Sequence, residues 1–162
     1  MTDTAKPANA GVYFPPPFIF VGGLLVAWLL ETRFHAIPLS TGVVPSPLLR
    51  GVGCLFVAMG LAIGAWGIIT FKRAHTAIIP HKAASSLVET GPYAFTRNPM
   101  YTGMTVLYFG AGLILNSTWA FLLLPVVLLL LYRFVISREE RYLSAEFAED
   151  YAAYRARVKR WI

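Results

Sequence analysis

Residues 13–34, 48–71, 99–115 and 119–136 are four predominantly apolar runs, each long enough to be weighed as a membrane span. A hydrocarbon core of ~30 Å takes about 20 residues of helix at a rise of 1.5 Å per residue. The first two runs reach that length, and the last two lie near its lower limit. What remains is too little to coat a soluble core: 57% of the 162 residues are hydrophobic and only 14% are charged. Soluble domains carry about 25% charged residues. The chain therefore reads as a single all-α domain over 1–162, an integral membrane protein with four transmembrane helices and one amphipathic helix at 137–162.

Proline and glycine punctuate this plan. Pro15-Pro16-Pro17 sets an extended approach to the first run, and Pro38, Pro45 and Pro47 break helix between the first and second. Asn116-Ser117-Thr118 is short enough for a tight helical hairpin between the third and fourth. In the second run Gly53, Gly60, Gly64 and Gly67 share one helical face. Small residues let helices approach closely where lipid removes the hydrophobic drive. That stripe reads as packing, with a homo-oligomer seam as the further option.

The net charge is +6, and between Arg33 and Arg133 the sole acid is Glu89. The basic residues flank apolar runs and form no separate module, so nucleic acid is not an expected partner. Membrane lipids are. Lys72, Arg73, Lys82 and Arg97 in the 72–98 loop, with the basic tail, place that loop and both termini in the cytoplasm by the positive-inside rule. The membrane itself is of plasma, bacterial inner or endoplasmic-reticulum type. The N-terminus lacks the pattern of a cleaved signal peptide. Cys54 is the lone cysteine and permits no intramolecular disulfide; of His35, His75 and His81 the latter two share one loop and make only a weak metal signal, so no metal is expected.

Polarity returns at three places on one face. Asn98-Pro99 starts the third run, Asn as a favoured N-cap and Pro at the first helical position; the free N–H groups of such a start suit an anion. Arg138-Glu139-Glu140 follows the fourth run, and a carboxylate so close to the bilayer is costly unless paired. Arg97, Arg138 and Arg141 are candidate partners. The third place is the connector from Pro80 to Val88. Beyond it all, Leu143, Phe147, Tyr151, Tyr154 and Val158 recur on one face of the tail, so that the tail lies on the membrane surface or folds back over the spans.

Taken in order, Leu87-Val88-x-x-Gly91-Pro92-Tyr93, Arg97-Asn98-Pro99-x-Tyr101-x-Gly103 and Glu139-Glu140-x-x-Leu143 with Phe147, Tyr151, Tyr154 and Val158 resemble the isoprenylcysteine carboxyl methyltransferase and phospholipid methyltransferase superfamily. The resemblance covers about residues 85–160. It implies a pocket for S-adenosylmethionine (SAM) at the cytoplasmic face, covered by the C-terminal helix. Carried over by position, it implies cofactor contacts from Ser85, Ser86, Leu87, Val88, Tyr93, Asn98, Pro99, Met100, Tyr101 and Glu139. Arg133 and Arg138 flank the position near Val135 where the family's carboxyl methyltransferases carry a substrate-side arginine. Those enzymes have His in place of Asn98 and of Ser85, so the cofactor pocket carries over better than the substrate site.

The activity implied is methyl transfer from SAM to a lipophilic acceptor bearing a carboxylate, amine or thiol. An ammonium acceptor must first lose a proton, and His81, Tyr93, Tyr101 and Glu140 are the candidate catalytic groups. Two other readings compete: a non-enzymatic membrane assembly or transport protein, and a nicotinamide-dependent lipid reductase of similar helical build. The first predicts ionisable residues inside the spans, which are almost lacking here.

Overall fold

A computed structural model describes residues 11–12, 15–34, 38–40, 46–74 and 86–161, and every described element is helical. Helix α1 runs Pro16–Arg33, α2 Ser46–Arg73, α3 Pro99–Ile114, α4 Thr118–Leu131 and α5 Ser137–Arg157. A short 3-10 turn, Gly91–Ala94, precedes α3, and a π-helical segment, Tyr132–Ile136, joins α4 to α5 without a break. These bounds lie within a few residues of the four apolar runs and the tail.

Three helical stretches are long and apolar enough to cross a membrane: α1, α2 and the continuous Thr118–Arg157. Helix α3 has 16 residues, about 24 Å of rise, and falls short of that measure. It lies antiparallel along α2, its most extensive partner, while α1 pairs with α4.

Glycine makes the α2–α3 seam. A Cβ on Gly60 would stand 2.6 Å from the Gly103 carbonyl oxygen, and one on Gly53 2.8 Å from that of Gly110. No side chain fits there, so backbone meets backbone. The stripe of Gly53, Gly60 and Gly67 is buried within the chain, and the face considered for a homo-oligomer is covered by α3. Gly64 lends its backbone to this contact, its N lying 2.9 Å from where a Cβ on Gly103 would stand, but its own Cβ would meet nothing within 4 Å.

At the end of α3 the chain turns through Asn116, whose φ of 52° is in the left-handed region that Asn tolerates. Its carboxamide exchanges hydrogen bonds with Ser40, at 2.8 Å to the backbone N–H and 2.8 Å to the hydroxyl. Ser117 caps α4 by accepting from the Ala120 N–H.

At the opposite end the tail departs from the single amphipathic helix expected over 137–162. It stops at Arg157 and breaks at Ala148, where φ is 38° and ψ −108°. No glycine or proline marks the break, so local sequence did not announce it. The apolar stripe is still used: Tyr151, Tyr154 and Val158 are buried against Leu87, Leu143 and Phe147. The tail thereby covers the segment leading into α3.

Candidate functional site

The site lies where the start of α3, the π-helical joint and the tail meet. Glu139 stands three residues past the joint and turns its carboxyl onto α3, where the Tyr101 hydroxyl donates a hydrogen bond of 2.6 Å to Oε1. Burial pushes the Glu139 carboxyl up to about 7; the Tyr101 hydrogen bond opposes the shift and the Glu140 charge adds to it. A carboxyl poised there exchanges its proton in the neutral range.

Glu140, one residue on, has a different environment. Arg160 grips it with both ends of its guanidinium, Nε to Oε1 at 2.9 Å and Nη2 to Oε2 at 2.8 Å, and Arg97 Nη1 lies 3.0 Å from Oε1. Burial works against this carboxylate, but the Arg160 hydrogen bond and the charges of Arg97, Arg160 and Arg155 outweigh it and hold its pKa below the ordinary value. Two adjacent carboxyls are thus driven apart, one toward neutrality and one toward a permanent charge.

Tyr93 is placed by the turn at Gly91. Gly91 has φ +61°, and a Cβ there would stand 2.8 Å from Thr70 Oγ1, so both conformation and space demand glycine. The Tyr93 ring packs edge-on against Phe71 at 5.0 Å, and its carbonyl accepts the Tyr154 hydroxyl at 2.8 Å. Burial, then the neighbouring Tyr154 and Glu139, raise its phenol well above the usual range. The hydroxyl therefore stays protonated. It is buried with no hydrogen-bond partner among the described residues, which leaves a donor without an acceptor at the edge of the Glu139 environment.

Asn98 does not cap α3 with its side chain. Its amide instead donates to the Arg160 carbonyl at 3.1 Å, and the Thr96 hydroxyl donates to that same oxygen at 3.0 Å. The Arg97 N–H donates to the Lys159 carbonyl at 2.9 Å. The Asn98 side chain is thus spent on the Arg160 carbonyl of the returning tail, a hydrogen bond contributing about 0.5–1.5 kcal/mol.

The other expected residues spread out. Ser86 is exposed, Leu87 joins the tail's apolar cluster, and Val88 and Pro99 are buried. Met100 packs at Gly67. Arg133 is exposed, and Arg138 donates to the Gly11 carbonyl at 2.8 Å, on a different side of α5 from the Tyr101 contact. His81 and Ser85 lie outside the described residues. Among the described residues no group of His, Cys, Asp and Glu is arranged to hold a metal.

Of the residues the sequence singled out, Tyr93, Tyr101 and Glu139 lie near one another, Asn98 holds the returning tail, and Arg97, one of the three arginines considered as a carboxylate partner, pairs with Glu140. Sequence reasoning missed Arg160, which stands just past Val158, the last residue of the apolar stripe, and so carries no periodic signal.

The family model described as phospholipid methyltransferase matches residues 49–150. The cobalt-zinc-cadmium resistance protein CzcN of Cupriavidus metallidurans is 29% identical over 86% of this chain and 61% of its own length. The protein-S-isoprenylcysteine O-methyltransferases of Saccharomyces cerevisiae and Schizosaccharomyces pombe are 30% and 28% identical, over 66% and 64% of this chain. The chain spans between 44% and 61% of the length of these relatives. No solved structure matches it. With the family model covering most of the chain, including both carboxyls and the start of α3, the protein belongs to the phospholipid methyltransferase family.

Proposed function

We propose that the protein is an integral membrane methyltransferase that moves a methyl group from SAM to a lipophilic acceptor at the cytoplasmic face. In this reading α3 completes a four-span bundle, and both ends of the chain lie in the cytoplasm. One observation carries it: the half-buried Glu139, its carboxyl hydrogen-bonded by Tyr101 and poised near neutrality, beside the unpartnered Tyr93 hydroxyl.

That arrangement fits SAM. The ligand is cationic at its sulfonium and ammonium and carries ribose hydroxyls. Glu139 offers the anionic acceptor, Tyr93 a spare donor and an aromatic face for a cation. Met100, which like the Tyr93 hydroxyl lies against Gly67, is a further candidate contact, Ser86 to Val88 remain candidates by position alone, and Asn98 acts indirectly by holding the tail in position. Bound there, SAM supplies an activated methyl group, so that in-line attack by the acceptor needs positioning above all.

The chain's own residues divide the remaining work. Tyr101 fixes the Glu139 carboxyl and is thereby committed as a donor. Tyr93 stays protonated, so it donates and does not serve as a base. Glu140, held by two arginines, is a poor proton acceptor and an anchor for the tail. A carboxylate or thiolate acceptor needs no base; for an ammonium acceptor, Glu139 is the described group with the suitable proton affinity. The two yeast relatives are named for methylation of isoprenylcysteine, which favours a carboxylate on a lipophilic body as the acceptor class.

Calorimetric titration of the purified protein with SAM, with its demethylated product and with NADPH tests the reading. Binding of the first two and not the third is expected, and it should be lost in Glu139→Ala. Binding of NADPH alone would favour a reductase, and binding of none would leave the transport or assembly reading.

A further inference from the structure

A second concave place in the molecule shares no residue with the Glu139 site. Between α1 and α4 lies a groove of about 580 Å³, bordered by Phe18, Gly22 and Val26 on one side and by Leu123 and Leu130 on the other, with Arg138 at one end. We propose that it binds a membrane lipid with an anionic headgroup, one acyl chain lying along the groove and the headgroup at Arg138.

The two adjacent glycines of α1 show how the groove arises. A Cβ on Gly23 would stand 2.5 Å from Val127 Cγ2, so Gly23 closes the α1–α4 contact. A Cβ on Gly22 would meet nothing within 4 Å, so Gly22 leaves the floor open. From Leu123 to Arg138 the wall runs about 22 Å at helical rise, more than the depth of one leaflet of a ~30 Å core. An apolar trough walled over about 12 Å by α1 and about 22 Å by α4 and its extension has room for an extended hydrocarbon chain.

The charge is at one end only. Among the described residues Arg138 is the sole charged one bordering the groove, and its hydrogen bond to the Gly11 carbonyl ties the guanidinium there. It sits where the apolar α4 and its π-helical extension give way to the polar α5, at headgroup depth. An apolar trough with a single cation at its polar end complements an anionic amphiphile, and a zwitterionic lipid gains less from it.

The test uses the full chain in nanodiscs containing either phosphatidylglycerol or phosphatidylcholine, each with the same photoactivatable acyl chain, with labelled residues mapped by mass spectrometry. Phosphatidylglycerol is expected to label the α1 and α4 walls about fivefold more than phosphatidylcholine. Gly22→Leu fills the floor and should reduce labelling with both lipids to the level of Leu55 and Leu61, which are exposed on α2. Arg138→Gln should keep the labelling but abolish the preference. If Gly22→Leu fails to fold, Val126→Trp, which obstructs the groove from an exposed lining position, takes its place with the same expectation. Equal labelling by the two lipids in the unmodified protein overturns the proposal, as does labelling that survives the obstruction or a preference that survives Arg138→Gln.

Discussion

Along the α2–α3 seam Gly60 and Gly103 bring backbone against backbone, with no room for even a methyl group. At the polar end of the same helices Arg97, Glu140 and Arg160 meet through charge and hydrogen bonds. Both regions bind α3 to the rest of the chain, by opposite means. Within hydrocarbon there is no hydrophobic drive to join two apolar helices, so close packing has to serve. Where water begins to reach, long polar side chains can be satisfied, and they tie distant parts of the chain together. The seam sets where α3 lies, and the polar end sets what chemistry is presented there.

The most severe break is expected in the seam. Gly60→Leu forces a side chain into the Gly103 backbone, and overpacking of that kind costs about 1–3 kcal/mol or more; little folded protein should be recovered, as judged by thermal unfolding in detergent. Gly64→Ala, one turn along the same helix, meets open space and should leave the melting temperature unchanged. Equal damage from both would remove the distinction between seam and open face.

Glu140→Ala comes next. It strips Arg97, whose side chain is only 9% exposed, of its counter-charge. Breaking a buried pair costs about 3 kcal/mol, somewhat less here because Arg160 is 32% exposed. Denaturant unfolding should show the loss, and Arg97→Ala in the same background should recover part of it.

The pH dependence separates the two carboxyls. The Glu139 pKa is raised in the folded protein, so its contribution to stability is full at acid pH and is lost as pH rises from the ordinary carboxylate range through about 7. Glu140 is depressed, so its contribution is present above the ordinary range and is lost as pH falls through its folded value. On the proposed reading, a cationic ligand favours ionised Glu139. SAM affinity should rise up to about tenfold per pH unit below 7 and level off above it. In Glu139→Gln the profile should be flat, and a slope that persists there would assign the titration to another group.

The smallest effect is expected at the rim. Arg157 pairs with Glu89 but is 65% exposed, and exposed pairs contribute about 0.2–1 kcal/mol. Glu89→Gln should shift the unfolding midpoint at the low end of that range.

Much of this was legible in the chain itself. Helix bounds followed from apolar runs and prolines, since burial in lipid demands length and uninterrupted apolarity. The stripe from Leu143 to Val158 marked a packed face, and the cost of a carboxylate near hydrocarbon marked Glu139 and Glu140 as residues needing partners. The break at Ala148, the turning of Asn98 toward Arg160 and the open floor at Gly22 were not legible. Each depends on what another segment brings to it, and periodicity within one helix carries no such information.

The sequence by itself determined that the chain suits a membrane, roughly where its apolar helices lie, and that polar groups return at the start of α3 and after the fourth apolar run. Only the tertiary structure decided which carboxyl became an anchor and which was left poised to titrate. The two are adjacent and chemically identical. Arg160, twenty residues beyond Glu140, and Tyr101 on a different helix make them unlike, by supplying one with permanent counter-charge and the other with a single neutral donor.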